Sequence, residues 1–335
     1  DMQSKILTAV TAGTAPDVVN LNPDFAAQLA SRNAWMPLDD KVPAEAKQVY
    51  LPNIWEANTL NGQSFGIPWY LTTNVTLHNQ ELLEAAGVEP PTTYAELAEV
   101  ARQVKEKTGK YAYFTTFVPE DSADVMQSFV QMGVELVDDQ GQAAFDTDAG
   151  RAVFQYWTDL YQQELLPQEV LTQGHRRAID LYQSGEVALL STGAEFFPTI
   201  EANAPDIAAV TGSGPQITGD TGKTNVAVMN VVIPASTDVP EAAIDFALYV
   251  TNDANQLAFA KAANVLPSTT GALEDSYFAA EGTKGVEKAR SVSAEQMNQA
   301  EVLIPAMDGV KELQAIIYDN LQAAMLGQKT VDQAV

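Results

Sequence analysis

Residues Asn61–Asn79 read NGQSFGIPWYLTTNVTLHN. Asn61-Gly62 is a turn pair, and Ser64–Asn79 reads as extended chain. Pro68 interrupts that run, because it has no N–H to give to a sheet ladder. Just past the break stand Trp69 and Tyr70, then Thr72, Thr73 and Asn74. Two flat rings followed by short neutral donors and acceptors suit a polyhydroxylated ligand, whose C–H faces lie on aromatics while its hydroxyls pair with polar tips. The same residues also suit a core strand with a wet aromatic edge. The stretch by itself leaves both readings open.

The spacing NGxxFGIPxxxxxxxxxxN resembles a signature of the family 1 extracellular solute-binding proteins, the carbohydrate-binding components of bacterial ABC importers (the maltose-binding protein class). Further stretches resemble landmarks of that family in family order: GTAPDVVNLN at Gly13–Asn22, PPTTYAEL at Pro90–Leu97, SGEVALLSTG at Ser184–Gly193 and NVLPS at Asn264–Ser268. The resemblance covers nearly the whole chain. It implies an α/β, two-lobed periplasmic-binding-protein fold with interleaved lobes, a hinge and a ligand cleft between them. The lobes are expected at 1–70 plus 229–275 and at 71–228 plus 276–335. Family members carry a further strand and loop ahead of this point, so the first lobe is expected to be N-terminally incomplete.

Composition narrows the function independently. A chain of 335 residues, 46% hydrophobic, is ample for a large core and for two lobes. No run approaches the roughly 18 apolar residues of a membrane span. Neither a signal peptide nor a lipid-attachment cysteine is visible. With 18 basic and 44 acidic residues the formal charge is −26, which lacks the basic footprint of a nucleic-acid binder. The absence of cysteine removes disulfide and thiolate chemistry.

Taken in order, the chain opens in a helical pattern with Met2, Ile6, Leu7 and Val10 on one face. Asp17–Leu21 is a short apolar strand, and Asn22 and Asp24 lie beyond its carboxyl end, where ligands collect in open α/β sheets. Their alternative role is to cap the next helix, for which Asp24 is well placed. Thr93-Tyr94-Ala95-Glu96 reads as a capping box. Tyr111–Phe117 is expected as a strand that delivers Phe117 and Glu120 beyond its end. Asp148 is expected to cap a helix over Ala149–Gln163, whose stripe of Val153, Phe154, Trp157, Leu160 and Tyr161 is core. Gly174-His175-Arg176-Arg177, the most basic spot in the chain, reads as a solvated helix start.

Val187–Leu190 is a strand leading into Gly193, Glu195 and Phe196; Gly193 permits close approach of backbone to ligand. The resemblance implies an aromatic against the sugar here, a role open to Phe196 or Phe197. Asn225–Pro234 reads as a strand with Asn230 inside it. In the family this is a crossing between lobes, and many members have glycines where this chain has Thr224-Asn225. A turn is expected over Asp138–Gly141.

Several chemistries are only apparent. Gly219–Thr224 tempts a phosphate-loop reading, but Ile217 stands where the motif needs glycine, and the sequence that follows is strand-like rather than helical. His78 and His175 are the only histidines, and without cysteine they make no zinc pattern. No nucleophile elbow is present. Asp24, Glu120 and Glu195 leave two rivals standing: a glycoside hydrolase with paired carboxylates, and a binder of cationic solutes such as polyamines. The expected protein is no enzyme and needs no cofactor or metal. It is a monomeric receptor for a mono-, di- or short oligosaccharide, or a sugar–polyol conjugate. Its partners are the carbohydrate and the membrane permease of an importer, and it is periplasmic or lipid-anchored at a bacterial cell surface. The candidate ligand residues are Asn22, Asp24, Trp69, Tyr70, Thr72, Asn74, Phe117, Glu120, Gly193, Glu195, Phe196 and Asn230.

Overall fold

The computed structural model describes residues 2–138, 140–279, 282–307 and 309–335, with the side chains of residues 2 and 3 outside that description. The side chain expected at Met2 and the middle of the turn expected over Asp138–Gly141 therefore fall outside the described residues. The chain divides into two compact units. One comprises Asp1–Thr72, Val226–Ala280 and Ile304–Val310; the other comprises Thr73–Asn225, Glu281–Leu303 and Lys311–Val335.

Nine strands are described: β1 (Val19–Leu21), β2 (Thr59–Leu60), β3 (Gln63–Ser64), β4 (Ile67–Asn79), β5 (Leu189–Gly193), β6 (Thr211–Gly214), β7 (Thr224–Val232), β8 (Leu266–Pro267) and β9 (Ala300–Glu301). The stretch quoted above folds as the β2–β3 hairpin followed by β4. Asn61 (φ 53°) and Gly62 (φ 77°) both take left-handed backbone between β2 and β3, which is why that turn uses Asn-Gly. β4 is rich in β-branched and aromatic residues and stays extended for 13 residues. Asn79 then caps the helix Gln80–Ala86, its Oδ1 accepting the Leu82 N–H at 3.1 Å.

In the first unit β7 lies between β1 and β4. β1 runs antiparallel to β7, with Val19 opposite Val232 and Leu21 opposite Asn230. β8 adds to β4 through Tyr70–Pro267 and Leu71–Leu266. Both faces are buried. Val19, Leu21 and Val232 pack with Phe25, Leu29, Trp35 and Phe65 on one side. Val231 of β7 and Ile233, just past its end, pack on the other side with Leu38, Tyr50, Ile67 and Ile244. A strand buried on both faces must be apolar at successive positions, which explains the unbroken Val231-Val232-Ile233 run.

In the second unit Thr76, Leu77 and His78 each pair with both β5 and β6, so β4 runs between them. Its core is aromatic: Phe117 meets Trp157 edge-on at 5.8 Å and Tyr318 at 6.4 Å, and Phe129 meets Phe154 at 5.5 Å. The expected stripe on the helix Asp148–Gln162 is this core, with Val153, Phe154, Trp157 and Leu160 buried.

Three local expectations are corrected. Tyr111–Phe117 is extended but forms no strand; only Tyr111 bridges, to Val187. Thr147, not Asp148, caps the helix that follows, its hydroxyl accepting the Gly150 N–H at 3.1 Å, while Asp148 occupies the first turn. Asn22, not Asp24, caps Pro23–Ala30, its Oδ1 accepting the Phe25 N–H at 2.9 Å. In both helices the capping residue has extended backbone, which the residue inside the first turn cannot adopt. The Thr93–Glu96 capping box forms as expected. The Gly219–Thr224 loop runs directly into β7, so no helix N-terminus is offered to a phosphate. Among the described residues, no helix is long and apolar enough to cross a membrane.

Candidate functional site

In the first unit the candidate surface is built around Pro68. Its carbonyl accepts a hydrogen bond from Ser268 Oγ at 2.9 Å. Ser268 is itself held by Gln256, which accepts the Ser268 N–H at 2.7 Å and donates from Nε2 to Ser268 Oγ at 2.9 Å. Gln256 Nε2 also donates to the Thr251 carbonyl at 2.7 Å. Gln256 and Ser268 are both buried, so this network fixes the strand to the helix Asp253–Ala263 with its side-chain amide satisfied. The physical role of the Asn264–Ser268 motif follows. Asn264 ends the helix in left-handed backbone (φ 55°), Leu266 and Pro267 form β8, and Ser268 clamps the break in β4.

That clamp presents three rings. Trp69 stacks on Phe259 at 4.7 Å with 29° between planes, Tyr70 lies 5.2 Å from Phe259, and Trp69 and Tyr70 meet edge-on at 5.3 Å. All three are partly exposed. Trp69 also rests on the core containing Ile67 and Val231. Its indole N–H is buried with no hydrogen-bond partner, a cost that folding alone does not explain. Phe259 was absent from the sequence candidates. On the helix it is three residues from Gln256, and that spacing was the available signal.

The remaining first-unit candidates separate. The Asn22 amide oxygen is committed to its cap, and Asp24 lies partly buried in the first turn. Thr72 is partly exposed. Asn230 is fully buried, its Nδ2 donating to the Val228 carbonyl at 3.0 Å and its Oδ1 unpartnered. It is sealed by Gly66, where a Cβ would sit 3.2 Å from the Asn230 Cβ. Asn230 therefore offers no open surface to a ligand, contrary to expectation.

The second unit gathers a polar cluster. Asn74 lies opposite Gly193 across the β4–β5 ladder and hydrogen-bonds the Asp124 carboxyl group. Asp124 is ringed by protein, and burial raises its carboxyl above the ordinary range; the His175 charge and hydrogen bonds from Ser122 and Asn74 oppose the shift. Burial likewise raises Glu195, against a hydrogen bond from its own backbone N–H. A cavity of about 20 Å³, lined in part by Asn74, Tyr113, Asp124, Ser191 and Gln216, has room for a single water.

The expected helix start forms, as His175–Gln183 with Arg176 exposed, but His175 itself belongs to this cluster and not to solvent. It is partly buried, its Nε2 is 3.3 Å from Thr192 Oγ1, and its ring meets Phe196 edge-on at 6.1 Å. Asp121 positions it by accepting the His175 backbone N–H at 2.7 Å. Asp124 and His175 are not among the sequence candidates, because the two helix starts that carry them are distant in the chain.

Two further expectations change. Phe117 is fully buried between Trp157 and Tyr318, so it is a core residue with no face to offer. Phe197 is buried as well, leaving the partly exposed Phe196 as the ring at this place. Glu120 is exposed in a turn. Among the described residues, no group of three or more His, Asp or Glu side chains is placed to hold a metal.

The sequence model described as bacterial extracellular solute-binding protein matches residues 1–257. A protein of Synechococcus sp. MITs9220, provisionally named an oligosaccharide periplasmic-binding protein and crystallised in complex with zinc, is 49% identical. Its structure matches at a TM-score of 0.94 over 99% of this chain and 85% of that one. A solute-binding protein of Thermotoga lettingae, bound with α-D-tagatose, shares the fold at a TM-score of 0.83 and 23% identity, over 99% of this chain and 85% of that one. The arabinooligosaccharide-binding protein of Halalkalibacterium halodurans is 27% identical over 271 residues, 76% of this chain and 59% of that protein. The chain thus spans about three-fifths of the length of this curated relative.

Proposed function

This chain belongs to the bacterial extracellular solute-binding proteins, and we propose that it is the sugar-binding receptor of an ABC importer, handing its ligand to a membrane permease without altering it. The observation that carries this reading is the Trp69–Tyr70–Phe259 trio. Three partly exposed rings are held rigid by a buried Gln256–Ser268 network, on a strand whose carbonyl at Pro68 is itself tied down. Rigid aromatic faces lose little entropy on binding and suit the C–H faces of a sugar ring. The names of its relatives, an oligosaccharide-binding protein and an arabinooligosaccharide-binding protein, favour the same ligand class.

In the second unit the candidate polar groups are Asn74, Asp124, His175, Glu195 and Phe196. Mixed donors and acceptors with one ring edge suit hydroxyl groups. Calorimetric titration against neutral mono-, di- and oligosaccharides and against polyamines, with a parallel assay for released reducing ends, tests the reading. Stoichiometric sugar binding without release is the expected result. Release of reducing ends would favour a hydrolase, and binding confined to polyamines would favour a receptor for cationic solutes.

A further inference from the structure

Away from every candidate ligand residue, the tip of the β2–β3 hairpin brings two reactive groups together. Of the asparagines in this chain, only Asn61 is followed by glycine. Asn61 and Gly62 are both exposed, and they make up the whole turn between the paired residues Leu60 and Gln63. A Cβ built on Gly62 would meet nothing within 4 Å, so that side of the turn is open to solvent. On the other side a cavity of about 320 Å³, lined in part by Asn61, Gln63 and Ser64, admits water to the Asn61 amide.

Neither group is engaged. Among the described residues, the Asn61 side chain makes no hydrogen bond and the Gly62 N–H donates none. The backbone nitrogen that follows an asparagine is placed to close a five-membered ring on that side chain's Cγ. A following side chain crowds the approach, and glycine has none. Ring closure needs the left-handed turn to open, and the local structure permits it. The turn closes a ladder of two pairs, Thr59–Ser64 and Leu60–Gln63, which forms a sheet of its own. So short a hairpin is marginal and opens without the core. Its base is anchored separately: the Ser64 N–H and Oγ donate to the Asp39 carboxylate at 2.9 and 3.1 Å, and the Phe65 N–H donates to the Asn58 carbonyl at 3.0 Å.

We propose that Asn61 is a self-modification site, where the hairpin tip converts with age to aspartate and isoaspartate, water being the only co-reactant. The Gly62 nitrogen attacks Asn61 Cγ and gives up its proton. The Cγ–Nδ2 bond breaks, ammonia leaves with that proton, and a cyclic imide remains. Water then adds to one imide carbonyl. Opening at Cγ restores the original main chain with an aspartate side chain. Opening at the main-chain carbonyl routes the chain through Cβ and Cγ, inserting a methylene into a turn built for two residues. The isoaspartyl tip cannot hold Leu60 opposite Gln63, whereas the anchored Ser64 and Phe65 keep β4 and its rings in place. Either product adds a negative charge. The inference does not depend on the sugar-receptor reading.

The test is incubation of the folded protein in mildly alkaline heavy-oxygen water, followed by peptide mapping with fragmentation that separates aspartate from isoaspartate. The expected result is ammonia release matched by heavy oxygen at residue 61, in both products, at least about tenfold faster than at any other asparagine. Asp308-Gly309 closes the same ring by expelling water, so ammonia separates the two sites. The rate should be unchanged in Gly212→Ala, and in guanidinium below the unfolding transition, because only the tip has to open. It should fall at least about tenfold in Asn61→Gln, whose ring closure is six-membered. The inference is overturned if Asn61 converts only in unfolded protein, if the rate climbs with global destabilisation, if another asparagine leads, or if Asn61→Gln converts as fast.

Discussion

Gly193 and Glu195 share one small space: a Cβ built on Gly193 would lie 2.0 Å from Glu195 Oε2 and 2.2 Å from Oε1. The missing side chain makes room for a carboxylate of the same chain. Gly193 is expected from the sequence to admit the backbone to a ligand; in the structure Gly193 lies opposite Asn74 and the space beside it holds the Glu195 carboxyl group. The backbone at Gly193 (φ −76°, ψ 155°) is ordinary for any residue, so the requirement is steric.

Gly193→Ala is therefore expected to fold, because the obstacle is the far end of a flexible side chain, with a stability loss within about 1 kcal/mol. Glu195 would be displaced, and sugar affinity would fall by roughly 1–3 kcal/mol. Thermal unfolding and calorimetric titration separate the two effects. A variant that binds as tightly as the parent would remove Glu195 from the site.

Trp69→Ala is expected to weaken ligand binding by roughly 1–3 kcal/mol, as truncation of an anchoring ring does. Because Trp69 also packs on the first unit's core and on Phe259, it costs stability too, roughly 1–3 kcal/mol. Phe259→Ala should weaken binding in the same assay by loosening Trp69. Unchanged affinity in both variants would displace the ligand from these rings.

Gly212 lies opposite His78 on the β4–β6 ladder, and a Cβ there would meet His78 Nε2 at 2.2 Å and two ring carbons at 2.7 and 2.9 Å. This neighbour is a buried rigid ring that cannot swing aside. Gly212→Ala should destabilise by about 1–3 kcal/mol as overpacking. Most of that loss should return in Gly212→Ala/His78→Ala, relative to His78→Ala alone, in denaturant unfolding. Additive losses would refute the steric account.

The same histidine makes stability depend on pH. Burial lowers its pKa, against a hydrogen bond to the Thr76 carbonyl and the charge of Glu89. The folded state thus binds the proton less readily than the unfolded chain. The contribution of neutral His78 is complete above the ordinary value of about 6.5 and is lost as pH falls below it, by at most about 1.4 kcal/mol per unit. Asp124 and Glu195 act in the opposite sense: burial raises both, so their contribution is present at low pH and lost as pH rises through their folded values. Comparing denaturant unfolding of the parent and His78→Gln between about pH 5 and pH 8 isolates the histidine. The parent should lose more stability than the variant as pH falls, and parallel curves would count against it.

Legibility followed the range of the interactions. The Asn61-Gly62 turn, the long β4, the Thr93–Glu96 capping box and the Trp157 stripe were readable because each depends on residues within a few positions of one another. The assignment of caps slipped by a residue or two at Asp24 and Asp148, since the capping residue is chosen by backbone angle as well as by side-chain type. Phe117 and Phe196 have the same side chain and both follow an extended segment. Only the packing of Trp157 and Tyr318 around the first buries it.

Local patterning by itself determined the alternation of strands and helices, the apolar faces that drive burial, and the placing of two rings just past a proline. Those properties reside in adjacent residues and in the period of the chain. Tertiary structure alone decided that Phe259 joins the rings, that Ser268 and Gln256 clamp the break at Pro68, and that Asp124 meets Asn74 within reach of the His175 charge. Each of those contacts joins segments far apart in the chain, and which groups meet is set by how buried surfaces and hydrogen bonds are satisfied together, a condition no short window of sequence contains.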